Sequence, residues 1–261
     1  MDGRRPCQQH PDRTMTPRMF LPVVALLLIA ACASDEPPLP TDHYAAIVAS
    51  PDRSDADRQT DQRRNPVTLL EFTGARPGQK VLDMGAGGGY STELMARAVG
   101  PSGTVYAQDS ADAGQRAKDA FNARLKTLPM RNVMRIERPF DDPLPPDVGS
   151  LDLITFFFFY HDTAYMDVDR AKMDRRLFDA LKPGGILVVA DHSARTGDGT
   201  SVAKTFHRIE ESVVRRELET AGFRFVAEGG FLRHAEDLRT AIVFRSPVPV
   251  DEFVLKFQKP R

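Results

Sequence analysis

The chain has 261 residues, with 35 Lys and Arg against 36 Asp and Glu, 41% hydrophobic residues, 20 Pro, 18 Gly, 2 Cys and no Trp. That length and composition suit an ordered chain with a sizeable core, organised as one large domain or two small ones. The near-zero charge excludes a basic field for a phosphate backbone. Cys7 and Cys32 both lie in the first 32 residues, which leaves the body without a thiol for metal ligation or nucleophilic attack.

Phe20–Ala31 (FLPVVALLLIAA) is an uncharged apolar run of twelve residues. It is short for a bilayer span but fits the apolar part of a signal peptide, with Arg13 and Arg18 upstream. It closes on Ile29-Ala30-Ala31-Cys32, which resembles the lipobox of bacterial lipoproteins. The resemblance implies a signal peptide over 1–31 and a diacylglycerol on Cys32. Such a protein sits in the bacterial cell envelope, on the periplasmic side, with the membrane as partner through its lipid anchor. Met1 and Met15 are both candidate starts. Loss of residues 1–31 removes four Arg and two Asp and leaves 31 basic and 34 acidic residues, a net charge of −3. Residues 32–42 are rich in Pro and acidic groups and read as a tether.

One domain is expected over 43–261. Its first part, 43–74, reads as a helical cover: His43–Ala49, Asp55–Arg64 with Ser54 as N-cap, and a helix opened by Pro66 and closed by Gly74. The pattern then alternates. Strands are expected at Lys80–Met84, Thr104–Gln108, Asn132–Glu137, Leu151–Phe159 and Ile186–Ala190, the fourth being almost wholly apolar. Helices are expected at Ser91–Val99, Ala113–Leu128 and Ala171–Leu181. Val202, Phe206, Ile209 and Val213 keep helical spacing in a long helix reaching Ala221. Phe223–Ala227 and Glu252–Phe257 complete a seven-stranded, mostly parallel, doubly wound sheet of Rossmann-like α/β type, with helices on both faces.

Val81-Leu82-Asp83-Met84-Gly85-Ala86-Gly87-Gly88-Gly89-Tyr90 runs from a strand through glycines into a helix, a context that suits a nucleotide ligand. Asp109, twenty residues beyond Gly89, ends the second strand, where a carboxylate can accept both hydroxyls of a ribose. A dinucleotide fingerprint would place its third glycine where Tyr90 stands. The spacing here is G-x-G-x-G, two residues after Asp83.

These residues resemble the class I S-adenosylmethionine-dependent methyltransferases. The resemblance extends over roughly 66–260 and includes Leu151-Asp152-Leu153-Ile154 and the turn Leu181-Lys182-Pro183-Gly184-Gly185. It implies S-adenosylmethionine as cofactor, with Asp83, Gly85, Gly87, Gly89, Tyr90, Asp109 and Tyr160 as the residues around it. Asp83 would help hold the ammonium of its amino-acid end. Ser50–Arg53, Tyr160-His161-Asp162, Asp191-His192 and Phe253–Phe257 further resemble a group of bacterial predicted methyltransferases, many with export signals. Ala86 and Tyr90 depart from that group's loop, which often has Pro and an aromatic.

The ends of strands one, four and five carry Asp83, Tyr160-His161-Asp162 and Asp191-His192. His161 and His192 are the candidate general bases, because imidazole titrates near neutrality, with Asp162 or Asp191 to orient them. The two histidines and the nearby Asp also form a conceivable cation site, but methyl transfer from a sulfonium needs no metal and none is assigned. Among Phe156–Phe159, the last, with Tyr160, is a candidate pocket wall beside the sulfonium. His207 and Glu210 lie three apart on one expected helix face, at the rim or in solvent. The function expected is methyl transfer to a small-molecule acceptor, not a nucleic acid. An exported binding protein without catalysis and an NAD(P)-dependent oxidoreductase stay open as alternatives.

Overall fold

Successive apolar residues need cover on both faces, and the computed structural model, which describes residues 1–3 and 39–261, places such a strand at the centre of its sheet. The cover comes first: α1 (Thr41–Val48), α2 (Asp55–Arg64) and α3 (Pro66–Thr73). Then follow β1 (Lys80–Met84), α4 (Tyr90–Val99), β2 (Thr104–Asp109), α5 (Gln115–Arg124), β3 (Val133–Glu137) and β4 (Leu151–Phe157). The remaining elements are α6 (Arg170–Ala180), β5 (Leu181–His192), α7 (Ala203–Phe206), α8 (Glu211–Thr220), β6 (Arg224–Gly229) and β7 (Glu252–Gln258). The seven strands lie in the order β3-β2-β1-β4-β5-β7-β6. All neighbours are parallel except β7, which runs antiparallel to both β5 and β6. The expected doubly wound Rossmann-like fold is therefore present.

Alternation sends successive residues to opposite faces. Leu82, Ile154, Phe156, Leu187 and Leu255 pack with Met173, Leu177, Val214 and Leu218 of α6 and α8. Val81, Leu153, Phe157, Val188 and Val254 pack on the other side with Leu70, Leu94 and Met95 of α3 and α4. Ser54 caps α2 by accepting the Asp57 amide, and Gly74 closes α3 in the left-handed conformation, both as expected. Among the described residues, no helix is long and apolar enough to cross a membrane. The expected signal peptide beyond residue 3, most of the expected 32–42 tether and Cys32 lie outside the described residues.

Several boundaries differ from expectation, among them β5, which spans Leu181–His192 rather than Ile186–Ala190. The fourth strand stops at Phe157, because Phe158 turns to φ 59° while its amide still bonds the Ala190 carbonyl at 2.7 Å. The second crossover helix spans only Gln115–Arg124. The long helix over 202–221 does not form. It breaks at His207 (φ 54°), and Ile209 instead pairs with the end of β5: its amide donates to His192 O at 3.0 Å and its carbonyl accepts the Ala194 amide at 2.9 Å. Arg208 is wholly buried at this break. It pairs with Asp237 at 2.8 Å and donates to the carbonyls of Ser193 and Ala241. Tertiary pairing of that backbone outweighs helix propensity that rests on apolar spacing alone.

Candidate active site

β1 delivers the chain into the glycine loop, where Gly85, Gly87 and Gly89 have φ 63°, 53° and 83°. A Cβ on Gly85 would lie 3.1 Å from Phe159, so this residue is small for close packing. A Cβ on Gly87 would meet nothing nearer than the Gly85 carbonyl at 3.9 Å. Gly87 is thus required for its backbone conformation, and the space before it is open. The loop amides turn inward: Ala86 donates to Gln108 O at 2.9 Å, Gly85 to Gln108 Oε1 at 3.3 Å and Gly87 to Asp109 Oδ2 at 3.1 Å. A loop that spends its amides this way suits a nucleoside without a diphosphate. Asp109 accepts Ser110 N on its other oxygen at 2.8 Å. One donor per oxygen leaves acceptor capacity for ribose hydroxyls. Burial raises the Asp109 pKa, against the lowering effect of those two amides. Ala86, Gly87, Asp109, Lys118 and Arg135 line a slot of about 10 Å³ beside the loop.

Three residues expected at the cofactor have other places. Asp83 is buried beneath the loop and accepts the hydroxyls of Thr92 at 2.6 Å and Thr155 at 2.8 Å. It ties β1 to β4 and α4 rather than presenting a carboxylate to an ammonium. Burial pushes its pKa up to about 6, while the two hydroxyls work the other way. Tyr160 is fully buried between the sheet and α6, with its phenol 2.9 Å from Asp174 and 3.0 Å from Glu217. An aromatic on the core side of β4 has no access to the loop. Tyr90 begins α4 but points its phenol at Asp61 of α2, to which it donates at 2.7 Å.

That contact belongs to an ionic seam holding the cover against the loop. Arg53 grips Asp61 with two bonds of 2.6 and 2.8 Å. Arg124 of α5 grips Asp57 with bonds of 2.7 and 2.8 Å, donates to Gly88 O at 3.1 Å and also contacts Glu93. Paired forks of this kind are the strong class of ionic hydrogen bond. The charged face of α2 is therefore the attachment of the expected helical cover to α4 and α5.

The second constellation lies at the ends of β4 and β5. A cavity of about 400 Å³ is lined by Arg64, Phe158, His161, His192, His207 and Phe244, among others. His161 is 2% exposed and directs Nδ1 to Asp191 Oδ1 at 2.7 Å, while its amide donates to Asp191 Oδ2 at the same distance. Asp191, not Asp162, is therefore the residue that orients His161. Asp162 faces Nε2 of the ring at 3.1 Å. Burial disfavours charge on His161, but Asp191 and Asp162 outweigh it and raise its pKa to about 10. With Nδ1 facing Asp191 and Nε2 facing Asp162, the ring favours its charged form, which weighs against the expected role of His161 as general base. His192 is buried with Nδ1 3.0 Å from Glu252 Oε1, close enough for an ion pair but without hydrogen-bond alignment.

Sequence reasoning missed Arg64 and misjudged His207. Arg64 lies over the Phe158 ring at 4.1 Å and the Tyr90 ring at 5.5 Å. Its buried Nε has no hydrogen-bond partner, and burial lowers its pKa to about 10, so it stays cationic at neutral pH. Nothing local marks one arginine out of the Arg63-Arg64 pair. His207 reaches the cavity only because the helix breaks there. Phe159 stacks on Phe140 at 5.0 Å against Gly85, so the pocket wall is Phe158 instead.

A family model described as "Methyltransferase domain" matches residues 75–222, more than half of the chain. The ubiquinone/menaquinone biosynthesis C-methyltransferase UbiE of Pasteurella multocida is 29% identical over 175 residues, 65% of this chain and 62% of that protein. Its counterpart in Vibrio vulnificus is 30% identical over 162 residues, 61% of this chain and 60% of that protein. The chain thus spans about three fifths of the length of these curated relatives. A crystal structure of a SAM-dependent methyltransferase from Aquifex aeolicus superposes with a TM-score of 0.57 at 18% identity, covering 84% of this chain and 98% of that one.

Proposed function

The chain belongs to this methyltransferase-domain family, and we propose that it is an S-adenosylmethionine-dependent methyltransferase whose acceptor is a small molecule with an apolar body and an anionic or oxygen-bearing head. Family membership favours this reading over the oxidoreductase and the binding protein without catalysis. The observation that carries the acceptor reading is Arg64: a cation with an unpartnered Nε, stacked on Phe158 in the cavity above β4 and β5. A buried donor without a partner is costly, and an acceptor's oxygen supplies what Arg64 Nε lacks. An oxygenated aromatic ring, of the quinone kind named for the curated relatives, meets these requirements.

Gly85, Gly87 and Asp109 would hold the cofactor, which supplies an electrophilic methyl group when bound. Seating a nucleoside beside Asp109 requires the flexible side chains of Lys118 and Arg135 to withdraw from the narrow slot. The chain's own contribution is placement: the glycine loop fixes one reactant, and Phe158 and Arg64 orient the other, which reduces the entropic barrier to attack. His192, buried at the cavity, is the remaining candidate to take a proton from an O–H or N–H acceptor. Calorimetry of the full chain with S-adenosylmethionine, followed by mass profiling of an extract for the gain of one methyl, tests the function. Absence of heat and of a thermal shift would overturn it.

We further propose, from the apolar run and its Ala30-Ala31-Cys32 ending, that Cys32 is lipidated and holds the protein on the periplasmic side of a bacterial membrane. Labelled fatty acid retained by the wild type and lost in Cys32→Ser supports this. Equal labelling of both, or of neither, overturns it.

A further inference from the structure

Three donor atoms from separate positions converge at the cavity: His161 Nε2, Asp162 Oδ1 and His207 Nδ1. His161 Nε2 lies 3.1 Å from Asp162 Oδ1 and 3.2 Å from His207 Nδ1, and His207 Nδ1 lies 3.2 Å from Asp162 Oδ1. The triangle is close to equilateral. An ion bonded at about 2.0–2.1 Å to three donors needs them about 3.0–3.4 Å apart, the lower value for octahedral and the upper for tetrahedral angles. From this geometry we propose that His161, Asp162 and His207 form a binding site for a divalent first-row transition ion, through two imidazoles and one carboxylate.

The surroundings match what such a site needs. The Nδ1 of His161 is committed to Asp191 at 2.7 Å, which keeps a proton on Nδ1, so that Nε2, on releasing its own proton to an arriving ion, turns its lone pair into the triangle. A carboxylate behind a ligating imidazole is the usual outer support of a metal-bound histidine. The Tyr165 hydroxyl donates to Asp162 Oδ1, the ligand oxygen itself, which fixes the carboxylate and leaves that oxygen's second lone pair for the ion. The His207 ring is braced by Phe244 at 5.0 Å and Tyr165 at 6.2 Å. The ligand set is also the one from which sequence alone could not be assembled. It uses His207, brought in by the helix break, in place of His192, whose ring centre lies 5.6 Å from that of His161.

Two imidazoles with one carboxylate leave coordination positions free, and suit Zn²⁺, Fe²⁺, Co²⁺ or Mn²⁺ rather than Mg²⁺ or Ca²⁺. The free positions face a cavity that also contains Arg64 and Phe158. They would take an oxygen of the acceptor, which rests on the methyltransferase reading; the ion site itself does not. A protein carrying this site binds the metal whether or not it transfers methyl groups.

The test uses the full chain, stripped with a chelator and titrated with Co²⁺ alone under anaerobic conditions. One Co²⁺ per chain is expected, with visible ligand-field bands that vanish when Zn²⁺ displaces it. Asp162→Asn and His207→Asn should each weaken Co²⁺ binding by about tenfold or more, and Asp191→Asn, a positioning residue, by about tenfold. Asn tolerates the left-handed conformation found at His207, so that variant keeps its backbone, which far-ultraviolet circular dichroism verifies. His192→Gln should bind Co²⁺ as the wild type does. No saturable uptake, or uptake unchanged in folded His207→Asn, overturns the proposal and leaves a proton-linked cluster. Calorimetry with S-adenosylmethionine on the same stripped protein reports separately on the methyltransferase reading.

Discussion

The phenol of Tyr90, the first residue after the glycine loop, donates a 2.7 Å hydrogen bond to Asp61 on α2. The residue that argues against a dinucleotide fingerprint is thus the latch between the loop and its cover. Tyr90→Phe removes one bond to a charged acceptor and leaves Arg53 on Asp61. Unfolding free energy should fall by about 1.5–3 kcal/mol at most. Affinity for S-adenosylmethionine should fall severalfold by calorimetry, because the cover no longer anchors to the loop. Unchanged affinity would separate the cover from cofactor binding.

Gly87 separates backbone demand from space. Its φ is 53° and nothing blocks a Cβ there, so Gly87→Ala costs about 1–2 kcal/mol of backbone strain without a clash. The variant should fold, as circular dichroism will show, and bind S-adenosylmethionine at least tenfold more weakly, since the methyl group enters the open space before the loop.

Asp174 gives the fold a pH dependence of defined sign. It is buried, and burial pushes its pKa up to about 7, helped by Glu217 and opposed by the Tyr160 phenol. The folded protein therefore holds this proton more tightly than the unfolded chain. Stability from this group is present below the ordinary carboxylate pKa and is lost as pH rises towards about 7. Asp83, raised to about 6, acts in the same direction. Denaturant midpoints at pH 5 and pH 8 should differ less in Asp174→Asn than in the wild type; an equal difference would remove Asp174 as the cause.

Arg208 is the most exposed to mutation of the buried ion pairs, because it is wholly enclosed and Asp237 is nearly so. Arg208→Met strands a buried carboxylate and should cost about 3–5 kcal/mol in equilibrium unfolding. It should also release the 207–209 segment from β5. Co²⁺ binding would weaken with it, although Arg208 touches none of the three proposed ligands.

The architecture was legible in the chain because its signals are local. Alternating apolar runs, the Gly74 stop, the Ser54 cap and the strand–glycine–helix junction specify elements through neighbours a few residues apart, and these determined the α/β class and the glycine loop. The place of Asp109 beside the glycine loop was legible for the same reason, by its distance from the glycines. The roles of individual side chains were not. Asp83 and Tyr160 lie beside the right motifs, but which face of β4 or β1 is filled by α6, α8 or α4 decides whether they meet a ligand or a threonine. Arg64 and His207 owe their importance to residues far away in sequence: Arg64 to the ring of Phe158, and His207 to Ile209 bonding β5 and Arg208 burying against Asp237. Local propensity sets elements at a fraction of a kcal/mol per residue. Burial of a charge and closure of a strand contact are worth several times more, so the tertiary structure alone decided where the chemistry gathers.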